Sequence, residues 1–224
     1  MPRGRLLVFE GLEGVGKTTQ IALLVSALDR AGVRALAVRE PGETPVGAEI
    51  RRLLLDPQWD ITARAEALLF MASRAELVER TIRPALAAGT LVIADRFFLS
   101  TYAYQVAGRE LPADAVHAAN TLATGGLVPD LTLLLEFPVA AGLARAAKRS
   151  AHDRMEGAGE PFLQRVAQAF VEFASPSWQR AHPECGPIDR VSAEGTEGEV
   201  FSRVERAVAA RWPDLGSGVS PATV

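Results

Sequence analysis

The sequence predicts an α/β protein, in which a doubly wound parallel sheet of about five strands is flanked by helices. Five short apolar runs have the length of buried strands. Segments with apolar residues at helical spacing separate these runs, and such alternation favours a parallel sheet covered on both faces. The first run leads directly into a glycine-rich loop at residues 11–18. We therefore expect the glycine-rich loop after the first strand to contact a ligand.

The predicted elements follow one another without a repeat or an interdomain linker. The strands are expected at residues 6–9, 33–38, 91–94, 131–135 and 188–191. The helices are expected to follow the glycine loop and then to cover residues 47–56, 62–87, 100–107, 114–124, 139–149, 162–180 and 200–212. Pro84 should limit the third of these helices, and Pro176 should kink or split the seventh. We expect one domain over residues 1–212 and a loose tail over 213–224.

Composition and charge exclude several classes of protein. The chain has 224 residues, 48% of them hydrophobic, and a formal net charge of −3. This charge argues against a nucleic-acid partner or a membrane surface. No run approaches the ~20 apolar residues of a membrane span. The single cysteine, Cys185, excludes an intramolecular disulfide framework and favours a cytoplasmic location.

The glycine-rich loop fits the phosphate-binding pattern G-x-x-x-x-G-K-[ST]. Its residues are Gly11, Leu12, Glu13, Gly14, Val15, Gly16, Lys17 and Thr18. Glycines allow backbone N–H groups to converge on phosphate oxygens at the start of a helix. Lys17 adds a positive charge for the β- and γ-phosphates, and Thr18 a hydroxyl for Mg²⁺. The strand before the loop and the helix after it are the context that this motif requires. The loop predicts a site for a nucleoside triphosphate.

The loop alone leaves the reaction open, because kinases, GTPase switches and ATPases share it. No Asn-Lys-x-Asp motif, which reads guanine, follows a strand, and this argues against a GTPase of the Ras type. No apolar strand ends in Asp-Glu, the pair that many ATPases use to activate water. Asp95-Arg96 follows a buried strand instead, and arginines recur along the chain. Two phosphate charges at about 4 Å repel by roughly 4 kcal/mol at an effective dielectric constant of about 20. A kinase that joins two phosphorylated substrates therefore needs many cations.

Four segments resemble the bacterial thymidylate kinases, in the order in which that family has them. They are residues 9–19, 39–42, 69–74 and 95–105, and the resemblance runs from residue 6 to about residue 165. It implies a P-loop kinase fold with a mobile lid at about residues 149–160. The implied reaction transfers the γ-phosphoryl group of Mg·ATP to dTMP, giving dTDP and ADP for dTTP synthesis. The resemblance also implies a homodimer, through apolar faces of the long helix around Ala72 and of its neighbours.

The resemblance assigns roles to residues on both sides of the reaction. For ATP it implies the whole loop and Thr19, with Asp95 and Thr18 near Mg²⁺. It implies catalytic roles for Lys17, Asp95 and Arg96. For dTMP it implies that Glu13 accepts a bond from the 3′-hydroxyl, Phe70 stacks on thymine, and Arg74 bonds its carbonyl. The residues implied to hold the acceptor phosphate are Arg39, Arg51 and Arg96. Those implied to line the base, sugar and phosphate side are Ser100, Thr101, Tyr104 and Gln105.

The family supplies its catalytic arginine from the phosphate-binding loop or from the lid. Here the loop has no arginine, while residues 145–154 are basic. The chain therefore resembles the lid-arginine type, with Arg149 and Arg154 as candidates. Three positions depart from the family pattern: Glu43 stands where a glycine is usual, Glu76 where glutamine is common, and Phe97 where tyrosine or histidine is commoner.

Other interpretations stay open on spacing alone. Phe70 and Tyr104 fit a structural core, Arg51 fits a solvated helix face, and Arg149 fits a charged helix end. Two other functions also remain open: a kinase of this fold for another nucleotide or nucleoside, and an ATP-dependent switch that recruits a partner protein.

Overall fold

The computed structural model describes residues 3–138, 141–142 and 154–216. In these ranges five parallel strands form one sheet in the order β2–β3–β1–β4–β5. The strands are β1 (Leu6–Glu10), β2 (Ala35–Arg39), β3 (Leu91–Asp95), β4 (Leu131–Glu136) and β5 (Ile188–Ser192). Leu7 of β1 pairs with Ile93 on one side and with Leu131 on the other. The predicted sheet is confirmed.

Helices cover both faces of the sheet. They are α1 (Lys17–Arg30), α2 (Pro45–Leu55), α3 (Ala63–Leu77), α4 (Arg83–Ala87), α5 (Phe98–Thr101), α6 (Ala113–Thr124), α7 (Glu160–Phe173), α8 (Pro176–Ala181), α9 (Glu197–Arg211) and α10 (Pro213–Gly216). Two π-helical segments, Val78–Ile82 and Tyr102–Gly108, continue α3 and α5. Two 3₁₀ turns occupy Glu156–Ala158 and Pro183–Cys185. Every residue of β1 and β3 is buried, as expected for strands covered on both faces.

The two prolines act at the predicted places. Pro84 is the second residue of α4, and this helix ends at Ala87 as predicted. The π-helical turn before it lets the Arg83 N–H bond to the Val78 carbonyl oxygen. At Pro176 the predicted long helix splits, because α7 ends at Phe173 and α8 begins at the proline, where the Ser175 side chain caps it.

The C-terminal region differs from the prediction. The loose tail expected from residue 213 is wrong for Pro213–Gly216, which form α10 with Leu215 buried. Asp214 accepts two hydrogen bonds from Arg5, at 2.9 and 3.0 Å, and these contacts hold α10 against the start of β1. The preceding helix also begins earlier than predicted, after a capping box in which Thr196 and Glu199 bond each other's backbone N–H groups.

Some predicted segments lie outside the described residues. They are most of the helix expected at 139–149, the first part of the expected lid, and residues 217–224. Within the described part, no helix combines the length and apolar character that a membrane crossing requires.

The sheet brings separate parts of the chain together at one edge. Because all strands are parallel, the carboxyl ends of β1, β2 and β3 meet there. The phosphate-binding loop follows β1, Glu40 and Pro41 follow β2, and Arg96 follows β3. This is the edge at which open α/β sheets bind their ligands.

Candidate active site

A cavity of about 510 Å³ opens at this edge of the sheet. It joins the phosphate-binding loop to a region rich in arginine and aromatic side chains. The lining residues that the sequence predicted are Glu13, Gly14, Gly16, Lys17, Thr18, Thr19, Arg39, Arg51, Phe70, Arg74, Asp95, Arg96, Ser100, Thr101, Tyr104 and Gln105. The lining residues that it did not assign are Glu40, Pro41, Leu55 and Met155.

The phosphate-binding loop presents its backbone to the cavity. Gly14 and Gly16 have positive φ angles of 78° and 94°, and α1 begins at the next residue, Lys17. Leu12 and Val15 point away from the cavity into the core. At Gly11 a Cβ atom would lie 2.5 Å from the Leu135 carbonyl oxygen, so only glycine fits. The loop is thus a set of N–H groups at a helix N-terminus, which suits an anion.

Lys17 lies across this loop. Its Nζ donates hydrogen bonds to the carbonyl oxygens of Gly11 at 2.9 Å and Leu12 at 3.1 Å. Burial, together with the positive charge of Arg96, lowers the pKa of Lys17 to about 7. A bound phosphate would favour the charged form of this amine, because opposite charges stabilise each other most where water is excluded.

Thr18 and Asp95 meet beside the loop, where the Thr18 hydroxyl donates to Asp95 Oδ2 at 3.1 Å. A hydroxyl and a carboxylate are the oxygen donors that Mg²⁺ takes next to nucleotide phosphates. The donor set therefore fits the metal that the sequence predicted.

Arg96 lines the cavity, and its backbone conformation is strained. Its φ angle is 77°, which is rare for a residue with a side chain. The guanidinium donates to Ser100 Oγ at 2.9 Å, lies 3.4 Å from Glu13 Oε1 and lies over the Tyr104 ring. Both the backbone and these neighbours aim the guanidinium at the space between the loop and the aromatic region.

Glu10 supports the loop that carries Arg96. This buried carboxylate ends β1 and accepts bonds from the backbone N–H groups of Phe97 at 2.7 Å and Ser100 at 3.1 Å. It also accepts a bond from the Ser100 hydroxyl at 2.6 Å. Sequence reasoning missed this role, although a charged residue at the end of an apolar strand is a usable signal.

Arg74 is a buried hub rather than an exposed cation. Its Nε donates to Glu40 Oε2 at 2.7 Å, and its Nη2 donates to the Phe97 carbonyl oxygen at 2.9 Å. Its Nη1 donates to Thr101 Oγ1 at 2.7 Å and also to Asn120. The guanidinium thus ties the ends of β2 and β3 to α3 and α6, and its donors are engaged inside the protein.

The aromatic region lies next to this hub. Phe70 is one helical turn before Arg74, is partly buried, and lines the cavity. Tyr104 is buried, and its hydroxyl donates to Glu13 Oε1 at 3.4 Å. Burial also raises the pKa of the Tyr104 phenol, so the hydroxyl keeps its proton. Gln105 completes this wall, with its amide 3.3 Å from Glu66.

Two predicted arginines stand at the rim. Arg51 donates to the Pro41 carbonyl oxygen at 3.0 Å, and Arg39 is half exposed. Glu43 has a φ angle of 65°, which explains why a glycine is favoured at this position. Its carboxylate lies 3.8 Å from Arg39, and Glu76 pairs with Arg80 on the outer face of α3.

The sequence predicted two arginines of the lid, Arg149 and Arg154. Arg149 lies outside the described residues. Arg154 is not among the lining residues, because its Nη1 lies 2.7 Å from Glu66 Oε2 and its Nε donates to the Leu54 carbonyl oxygen at 2.8 Å. The next residue, Met155, reaches the cavity instead.

A phosphate-binding loop that faces an arginine-rich second pocket on a parallel sheet defines a P-loop kinase. A family model described as thymidylate kinase matches residues 9–184. The chain belongs to the thymidylate kinase family.

Individual thymidylate kinases are similar to this chain over most of its length. A thymidylate kinase of Synechococcus sp. (strain JA-2-3B'a(2-13)) is 46% identical, over 96% of this chain and 99% of the relative. One of Rhodopirellula baltica is 41% identical, over 90% of this chain and 78% of the relative. One of Deinococcus radiodurans is 45% identical, over 80% of this chain and 87% of the relative.

Proposed function

We propose that the protein transfers the γ-phosphoryl group of Mg·ATP to dTMP, giving dTDP and ADP and so supplying dTTP synthesis. One observation carries the proposal: a single cavity joins a phosphate-binding loop to a second pocket that is lined by arginines. The names of the relatives support dTMP as the acceptor.

The donor phosphates are held by the loop. The N–H groups at the start of α1 bind the β- and γ-phosphates, and Lys17 exchanges its carbonyl partners for phosphate oxygens. Thr18 and Asp95 would hold Mg²⁺, Asp95 either directly or through water. When bound, the metal neutralises charge on the transferring group and orients it.

The acceptor phosphate is held by Arg39, Arg51 and Arg96. Arginine forks match phosphate oxygens and offset the repulsion between donor and acceptor. The acceptor oxygen is already anionic near neutral pH, so the reaction needs no general base. Positioning and charge neutralisation carry the rate enhancement.

The nucleoside lies against the aromatic wall. Phe70 stacks on the base, and Glu13 accepts a hydrogen bond from the 3′-hydroxyl while Tyr104 packs against the sugar. Arg74 contacts the base carbonyl, and this bond replaces or shares the Nη1–H that now goes to Thr101. The other side chains proposed to line the base and phosphate side are Ser100 and Gln105.

The charge that develops between the two phosphates needs a further cation. The loop has no arginine, so Arg149 supplies it from the lid expected at residues 149–160. The same segment would exclude water from the reacting phosphates.

We also propose a homodimer through α3 and α6. Leu68 on α3 is 63% exposed and Leu122 on α6 is 84% exposed, and the two helices pack side by side. Large apolar side chains exposed on adjacent helices favour a protein partner. Light scattering tests this: Leu122→Glu should halve the mass, whereas Val171→Glu on α7 should not. A cytoplasmic location remains the prediction drawn from the cysteine content.

An ADP-release assay with several acceptors tests the activity. We expect strong ADP release with dTMP and weak release with dUMP, dCMP, dGMP or thymidine. A preference for another acceptor would indicate a different nucleotide or nucleoside kinase. ATP hydrolysis that ignores every acceptor would indicate a switch.

A further inference from the structure

Glu66 is a completely buried carboxylate that holds two arginines. It lies in the first turn of α3, and its side chain has no solvent exposure. Arg109 binds it with two N–H groups, from Nε at 3.0 Å and from Nη2 at 2.8 Å. Arg154 Nη1 lies 2.7 Å from Oε2, and Gln105 Nε2 lies 3.3 Å from Oε1.

Arg154 also joins the end of α2. Its backbone N–H donates to the Leu55 carbonyl oxygen at 3.0 Å, and its Nε donates to the Leu54 carbonyl oxygen at 2.8 Å. These bonds place the next residue, Met155, whose side chain is buried and lines the cavity beside Leu55. Met155 therefore forms part of one wall of the cavity, and Glu66 holds the arginine next to it.

The same carboxylate is linked to the aromatic wall of the cavity. Phe70 follows Glu66 by four residues on α3, so the two lie on the same side of the helix. Gln105, which lines the cavity, bonds Glu66 directly. Glu66 thus connects the proposed base site to the wall formed by Met155.

The charges explain why this connection depends on Glu66. Two guanidinium groups approach one carboxylate in a site from which water is largely excluded. Without the negative charge, the two cations would repel each other at low dielectric. Arg154, which belongs to the segment at the cavity wall, would then leave, and Met155 would move with it.

We propose that Glu66 is a positioning residue that, through Arg154, holds the Met155 wall against the nucleoside of the acceptor. The proposal rests on the proposed function only in taking dTMP as that acceptor. It assigns Arg154 to the shape of the acceptor pocket rather than to the transferring phosphoryl group. Arg149 remains the candidate for that second task.

The test is a double-mutant cycle with Glu66→Gln, Arg154→Gln and the double variant. We expect each single variant to raise the KM for dTMP by about tenfold while the KM for ATP and kcat change by less than about threefold. The double variant should be no worse than the more affected single variant, because both changes break the contact between Glu66 and Arg154. Glu66→Asp keeps the charge and should retain most of the affinity for dTMP.

The matched control is Glu76→Gln, which removes a partly exposed carboxylate of the same helix, outside the cavity, and should leave both KM values unchanged. Thermal unfolding of each variant separates folding from function. If Glu66→Gln does not fold, Arg154→Gln and Arg154→Lys decide the matter, since the Arg154 side chain, unlike that of Glu66, is not completely buried.

Three outcomes would overturn the proposal. A loss of kcat by about 10²-fold or more in Arg154→Gln, absent from Glu66→Gln, would make Arg154 a contact of the transferring group. Additive effects of the two substitutions on the KM for dTMP would show that Glu66 and Arg154 do not act together. An unchanged KM for dTMP in variants with a lower melting temperature would make Glu66 purely structural. If the wild-type protein prefers another acceptor, only the assignment of dTMP as the acceptor is refuted. The double-mutant cycle would then be measured with that other acceptor.

Discussion

The two ends of the cavity are built in different ways. The donor end is one continuous loop, in which backbone N–H groups and Lys17 follow a single strand. The acceptor end combines side chains from α2, α3, α5, the π-helical segment Tyr102–Gly108 and the loops after β2 and β3. Buried ion pairs hold it together: Arg74 with Glu40 across 34 positions of sequence, and Arg109 with Glu66 across 43.

This difference predicts different responses to substitution. Side chains at the donor end act on the transferring phosphoryl group and contribute little to the fold. Side chains at the acceptor end hold elements together, so their loss affects stability and substrate affinity before turnover. Each of the following substitutions tests one side of this contrast.

The largest effect is expected at the donor end. Lys17→Ala should lower turnover by at least about 10³-fold while the protein stays folded, because it removes a charge aimed at the transferring group. Steady-state kinetics measures the loss of turnover, and the melting temperature shows whether the variant stays folded. Lys17→Arg is the control that keeps the charge and changes its shape. Near-normal turnover in folded Lys17→Ala would remove this residue from the mechanism.

The acceptor end should respond in stability. Arg74→Met leaves the Glu40 carboxylate buried without its cation, which should lower the free energy of unfolding by about 3–5 kcal/mol. Urea denaturation measures this loss. Arg80→Met, which breaks the exposed pair with Glu76 on the same helix, should cost at most about 1 kcal/mol. Equal losses of unfolding free energy in the two variants would contradict the role of Arg74 as a buried hub.

A third substitution tests the proposed lid. Arg149→Ala should lower turnover by roughly 10²–10³-fold, as the loss of one transition-state donor does elsewhere. The KM values should change little, because the contact forms mainly in the transition state. If turnover stays near normal, Arg145 or Lys148 must supply the charge.

Base affinity should depend on Phe70. Because stacking is worth about 1–3 kcal/mol, Phe70→Ala should raise the KM for dTMP by roughly tenfold or more and leave that for ATP nearly unchanged. Phe201→Ala removes another partly buried phenyl group, on α9 away from the cavity, and should spare both KM values. Equal changes in both KM values together with a large drop in melting temperature would assign Phe70 to the core.

The smallest effect concerns pH and Lys17. The folded protein holds the pKa of this amine at about 7, below its ordinary value of 10.5. Between these values the unfolded chain binds more protons, so the free energy of unfolding should rise with pH by at most about 1.4 kcal/mol per unit. This contribution is lost as pH falls through about 7. Lys17→Met should lack this slope in urea denaturation at pH 7 to 10, and an identical slope would refute the lowered pKa.

The sequence alone determined the sheet, most helix boundaries and the donor end. Apolar periodicity reports burial directly, and the phosphate-binding loop is contiguous, so its geometry follows from neighbouring residues. Resemblance to a family then named most of the acceptor residues that line the cavity. For Phe70 and Arg51 the spacing also allowed a core or a solvated surface.

Only the tertiary structure decided which partners the arginines meet. Arg74 follows an apolar run and Arg154 ends a basic stretch of the sequence, yet both pair with buried carboxylates. Glu10, Glu40 and Glu66 acquire their roles because the fold removes water from them and brings distant donors within hydrogen-bonding range. A linear sequence does not encode which distant partner a buried charge will meet, and the packing of helices on the sheet decides it.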